Sequence, residues 1–184
     1  MTRRHPFLWI SDLSQKRVLI ATAALSIGLM VSLAGLNGPL RTEAAPAGIV
    51  SYELAGDVAT ANEILESWGA TGRAYAGISL GLDFLFLFTY AIAIGLACVL
   101  LADRLTTRAT FLSALGIWLA WGMVAAGAFD FVENYGLIRV LICAEKSWWP
   151  VIARWSAIFK FILIGIGLSY LVVGFISLQL RREQ

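Results

Sequence analysis

The chain has 184 residues, 59% hydrophobic and 14% charged, with a mean hydropathy of +0.79 and a formal charge of +2. Soluble domains carry about 25% charged residues, because charge is what covers a water-facing surface, so this composition excludes a soluble globule of this size. It equally excludes an intrinsically disordered chain, which would be poor in apolar residues and rich in charge.

The remaining class is an integral membrane protein. The expected fold is all-α, a polytopic four-transmembrane-helix bundle forming a single membrane domain over residues 1–184, with a short amphipathic helix in the first outer loop. A hydrocarbon core about 30 Å thick takes about 20 helical residues. Four stretches qualify: Val18–Leu36 and Phe84–Ala102 with 19 uncharged residues each, Ala109–Phe129 with 21 residues and Phe161–Leu180 with 20. With the apolar-rich residues beside them, the predicted spans are 18–36, 74–102, 109–135 and 151–180, with the outer loop at 37–73. Lipid offers no partner to a bare amide, so spans of this length are helices. A β-barrel would need many alternating segments of about ten residues, and none is visible.

The first span follows Arg3, Arg4, Lys16 and Arg17 and so has the look of a secretory signal. Its apolar run is longer than the roughly 7–15 residues of a signal core, and Ala44-Ala45-Pro46-Ala47 lies well past its end, so a retained helix is expected. Lysine and arginine near span ends set orientation. The N-terminal arm, the 102–108 turn and the tail hold eight cations (Arg3, Arg4, Lys16, Arg17, Arg104, Arg108, Arg181, Arg182) against Asp12, Asp103 and Glu183. The other side holds six cations against eight acids, among them Glu43, Glu53, Asp57, Glu63, Glu66 and Glu145. Both termini are therefore expected in the cytoplasm, in a bacterial inner membrane. Topology accounts for the net charge, and no nucleic-acid partner is implied.

The tight 103–108 turn predicts antiparallel neighbours for spans two and three. The first outer connection breaks at Gly38-Pro39 and predicts a helix over about Asp57–Trp68, with Thr60 and Glu63 as a capping box and Gly69 as its stop. Val58, Ala61, Leu65 and Trp68 share one face of it, suited either to lying on headgroups or to closing over the bundle. Trp148, Trp149 and Trp155 at the entry to span four read as headgroup anchors. Trp118 and Trp121 read as packing or lipid-facing residues.

Charges at the ends of the apolar cores are the most specific feature. Asp83 immediately precedes the apolar core of span two, Asp130 follows that of span three and Lys160 precedes that of span four, so alternating directions place all three near the outer boundary. Ser79, Asp83 and Tyr90 share a helix face, as do Asp130, Glu133 and Asn134; Ser156 and Lys160 form a third, with Arg154 nearby. The candidate binding cluster is therefore Asp83, Tyr90, Asp130, Glu133, Asn134, Arg154 and Lys160. Three readings stay open: a buried ion-pair network fixing helix register, a site for a polar or amphipathic ligand, or acid–base chemistry by Asp83 or Glu133 with Lys160 as electrostatic partner. Gly167 and Gly174 follow Lys160 at sevens as a close-packing stripe, and Ala24, Gly28 and Gly35 offer a comparable one on span one.

The inventory assigns no catalytic residue, no cofactor and no metal site. The only histidine, His5, lies on the N-terminal arm and is expected to be solvated. No span carries a haem ligand or a Glu-x-x-His pair, and no histidine stands at the outer face for nucleophilic catalysis. Cys98 and Cys143 are expected at opposite ends of the membrane, too far apart for a disulfide. No Cys-x-x-Cys, phosphate-binding loop, dinucleotide fingerprint or lipidation motif is present.

Leu82-Asp83-Phe84-Leu85-Phe86 with Tyr90, then Phe129-Asp130-Phe131-Val132-Glu133-Asn134, then Lys160-Phe161, resembles a pattern in uncharacterised bacterial four-helix membrane proteins. Glu53-Leu54-Ala55 and Ile64-Leu65-Glu66-Ser67-Trp68 belong to the same resemblance, which implies a bacterial origin and a shared polar ring but no function. The expected role is an accessory or structural subunit of a membrane complex, acting without catalysis. The alternative is a lipid- or small-molecule-binding or transport protein using the polar cluster, and the weakest is an intramembrane enzyme on a lipid. Expected partners are the lipid bilayer and either other membrane proteins or further copies of the chain.

Overall fold

The computed structural model describes residues 4–105, 110–142 and 148–180. Arg3, Cys143, Glu145, Lys146, Arg181, Arg182, Glu183 and residues 106–108 of the predicted 103–108 turn, Arg108 among them, lie outside the described residues. Every element among those described is helical: α1 (Asp12–Leu36), a short 3-10 turn (Gly38–Leu40), α2 (Ile49–Glu53), α3 (Val58–Leu105), α4 (Thr110–Ile142) and α5 (Trp149–Leu180). Four of them, α1, α3, α4 and α5, are long and apolar enough to cross a membrane, with best windows of mean hydropathy 2.1, 2.6, 1.7 and 2.4. That is the make-up of a multi-pass membrane protein. At about 1.5 Å per residue, the 33 residues of α4 run well past a hydrocarbon core, so its polar residues stand on helix rather than on loop.

The chain forms two compact units, and α3, α4 and α5 each contribute to both. One unit comprises residues 1–26, 89–127 and 161–184. Its core joins Phe7 and Ile10 to Leu96, Cys98, Val99, Leu119, Ala120 and Tyr170. The N-terminal arm is thus packed rather than free. The Phe7 ring edge lies 2.7 Å from where a Cβ on Gly95 would stand, so a side chain there would have to displace the ring. His5 is half-buried, its Nδ1 accepting the Phe7 N–H at 3.2 Å, where the sequence suggests a solvated side chain. The α5 stripe packs closely: Gly167 lies against Met123 and Ile94, and Gly174 against Leu101.

The second unit comprises residues 27–88 and 128–160. Its core is made by the segment after α1 together with α3, α4 and α5: Leu40, Tyr52, Ile64, Leu65, Trp68, Leu80, Leu137, Val140 and Ala153 are all buried. Two buried aromatic polar tips in this core find partners, as burial requires. The Trp68 indole donates to the Leu40 carbonyl at 2.7 Å and the Tyr52 hydroxyl to the Leu137 carbonyl at 3.1 Å, with the two rings edge-to-face at 5.2 Å. Asn37 ties the segment together, accepting the Ile49 N–H and donating to the Ala47 carbonyl. The predicted face therefore serves as core: Ala61, Leu65 and Trp68 are buried and Val58 half-buried.

The start of that helix corrects the expected capping box. Asp57, not Thr60, is the cap, its carboxylate accepting the Thr60 N–H and hydroxyl at 2.8 Å each. Those bonds hold the Asp57 carboxyl below its usual range, and a carboxylate at this end also complements the helix dipole. Gly69, at φ 57 and ψ −164, breaks the helical path within α3, in a region open essentially to glycine. The α1 stripe differs from the α5 one: a Cβ at Gly28 or Gly35 would meet nothing within 4 Å. Only 6% of the apolar window of α1 is buried.

Candidate functional site

Helical spacing sets up the site. Asp130, Glu133 and Asn134 lie three and four residues apart on α4 and so project from one face. Lys160 approaches from α5 and Asp83 from α3. The Lys160 ammonium stands 3.1 Å from Asp130 Oδ1 and 2.7 Å from Glu133 Oε2. The Asn134 amide donates to Asp83 Oδ2 at 2.7 Å and to Asp130 Oδ1 at 3.3 Å. Asp130 is thus the junction between the ion pair and the amide. Asp130, Glu133 and Asn134 are at most 1% exposed and Lys160 is 5% exposed. A charge buried this deeply persists only when paired, and each of these is.

The structure adds Glu53, which sequence reasoning placed among the loop acids. Its carboxyl is in side-chain contact with that of Glu133 and faces Lys160 and Asp83. Burial pushes the Glu53 carboxyl above its usual range; Lys160 opposes the shift and Asp83 adds to it. A five-residue helix such as α2 is too short for a period to show which of its residues turn inward. The available signal was the apolar run Ile49-Val50 with Tyr52 immediately before the acid.

One sequence candidate stands elsewhere. Arg154 is exposed and lies against Gly56, close to Asp57, so it serves the start of α3 rather than the buried cluster. Its position six residues before Lys160 turns it to a different side of α5. Tyr90 is buried on α3, two turns along the helix from Asp83. Ser79 and Ser156 are buried on α3 and α5. Among the described residues no group of three or more His, Cys, Asp or Glu converges as a metal site.

A second feature escaped the sequence reading. In the unit that contains residues 1–26, a cleft of about 820 Å³ opens where the start of α1 meets the ends of α3 and α5. Leu19, Leu101, Leu171 and Phe175 supply apolar wall, while Lys16, Asp103 and Arg104 are exposed charges along it. By register the charges mark one end of the cleft, and Ile20, Ala97 and Leu171 lie toward the other. Linear sequence does not show it, because apolar residues facing a cleft and apolar residues facing lipid have the same pattern. Comparison with protein families, curated proteins and solved structures finds no match.

Proposed function

We propose that this chain is a non-catalytic multi-pass protein of a bacterial inner membrane, with cytoplasmic termini, that holds an anionic lipid in the cleft between α1, α3 and α5. The observation that carries this reading is an apolar volume of about 820 Å³ bordered by Lys16 and Arg104. Ligand sites typically span about 300–1,000 Å³, mostly apolar with a few placed polar groups. Each buried acyl methylene contributes about 0.8 kcal/mol and each cation near an anionic headgroup about 1 kcal/mol. With cytoplasmic termini, Lys16 and Arg104 stand at the leaflet surface that anionic lipids charge negatively. Asp103 beside the two cations in the lining makes the net charge of the cleft +1, which suits one phosphodiester.

Native mass spectrometry on protein extracted gently from its host membrane tests this. The expected result is a single chain or homo-oligomer carrying a lipid mass, with phosphatidylglycerol retained over phosphatidylcholine. Lys16→Gln combined with Arg104→Gln is expected to abolish that preference. Retention that ignores both substitutions sinks the reading.

A second reading, an accessory or structural subunit of a membrane complex, is favoured by α1. A helix whose apolar window is 6% buried, with Gly28 and Gly35 open to close approach, is suited to packing on another membrane helix. It predicts a heavier assembly containing other polypeptides in the same spectra, lost on Gly28→Leu.

A further inference from the structure

We infer that Glu53 and Glu133 hold one proton between them, making the buried cluster around Lys160 a proton-binding site. Their carboxyl groups are in contact, yet among the described residues Glu53 Oε2 and Glu133 Oε1 are buried without a hydrogen-bond donor. Two ionised carboxylates in contact repel each other and offer only acceptors. One proton turns them into a carboxylic acid donating to a carboxylate, the kind of charge-assisted bond that is short and strong. Paired carboxyls that share a site accordingly titrate one proton apart.

The surrounding charges support the assignment. Asp83, Asp130, Glu133 and Glu53 place four carboxyls about one ammonium. Lys160 is engaged by Asp130 and Glu133, and the Asn134 amide by Asp83 and Asp130. The nearby arginines are committed elsewhere: Arg73 donates to the Leu65 carbonyl, and Arg154 lies against Gly56 beside Asp57. Glu53 is also the member of the pair nearer to water, 8% exposed against 0% for Glu133. It sits on α2, outside the four helices able to span the membrane, so the proton enters and leaves through it. The inference does not depend on a lipid in the cleft.

Burial holds the Glu53 carboxyl above its usual range, so the folded chain binds more protons there than the unfolded chain. Stability from this group is complete at acid pH and is lost as pH rises through the raised value. Infrared spectra of the full chain in detergent, in light and in heavy water, test the proton directly. Wild type is expected to show a protonated-carboxyl carbonyl band at neutral pH that shifts on deuteration. Glu53→Gln and Glu133→Gln are each expected to remove it, because either one releases the other carboxyl to ionise beside Lys160. The fall of Tm with rising pH is expected to flatten in Glu53→Gln. Absence of the band from wild type, which requires no variant to fold, overturns the inference, and so does a band that survives either substitution.

Discussion

Lys160 balances two buried carboxylates at once, so its removal is the most informative single substitution in the cluster. Lys160→Met leaves Asp130 and Glu133 uncompensated in a site where they are 1% and 0% exposed, and breaking a buried pair from one side costs about 3–5 kcal/mol. Asp130→Asn in the same chain removes one of the orphaned charges. The double variant is therefore expected to recover part of the loss in thermal or denaturant unfolding. Strictly additive losses would mean the two groups do not interact. Tyr52→Phe is a milder case: its hydroxyl donates to the Leu137 carbonyl, and a hydrogen bond of this kind contributes about 1 kcal/mol. The expected fall in unfolding free energy is of that size, and no change would show that bond to be dispensable. Asp130, Glu133, Asn134 and Lys160 were legible in the sequence because each interrupts or borders an apolar run at helical spacing. Glu53 was not, since its neighbours on α2 fill barely more than one helical turn. Arg154 misled for the opposite reason, because proximity in sequence to Lys160 says nothing about which side of α5 a long side chain takes.

At the scale of elements, hydropathy identifies the helices and misses their ends. The predicted first span begins at residue 18 and α1 at Asp12; the third was expected to end at 135 and α4 continues to Ile142. Lipid sets the length of the apolar run, whereas backbone hydrogen bonding continues into the polar layer wherever tertiary packing supports it. The break within α3 was legible as a glycine and only the structure supplies its geometry. Gly69→Ala forces a side chain into φ 57, ψ −164, and strain of this kind costs about 1–3 kcal/mol. Because no described residue lies within 4 Å of a Cβ placed there, the cost is conformational rather than steric. Gly69→Asn is accordingly expected to destabilise no less than Gly69→Ala, since its small advantage belongs to the left-handed helical region. Unfolding midpoints for the two variants measure this, and a neutral alanine would show that the 58–68 segment and the rest of α3 can align without loss. Capping shows the same limit of sequence reading. Thr60 with Glu63 satisfies the capping-box pattern, but Asp57 three residues earlier in the chain takes the Thr60 N–H, and a pattern alone does not say where the backbone first turns helical.

At the scale of the molecule, composition determines the solvent and leaves the ligand to tertiary structure. The cleft draws its walls from residues 16–20, 97–104 and 171–178, three segments roughly 80 residues apart in the chain, and no local pattern joins them. The lipid site proposed there would draw on two contributions that respond differently to conditions, which separates a specific headgroup site from ordinary solvation by lipid. A lipid that binds only the folded chain stabilises it by RT ln(1 + [L]/Kd), so phosphatidylglycerol is expected to raise Tm more than phosphatidylcholine of the same chain length. Lys16 and Arg104 are exposed, and exposed charges are screened as the Debye length falls from about 10 Å at 0.1 M salt to about 3 Å at 1 M. High salt should therefore erase the difference between the two lipids while leaving the stabilisation common to both, which comes from the apolar wall. Lys16→Gln with Arg104→Gln should reproduce the high-salt result at low salt. A headgroup preference that outlasts both treatments would assign selectivity to some part of the surface other than these two cations.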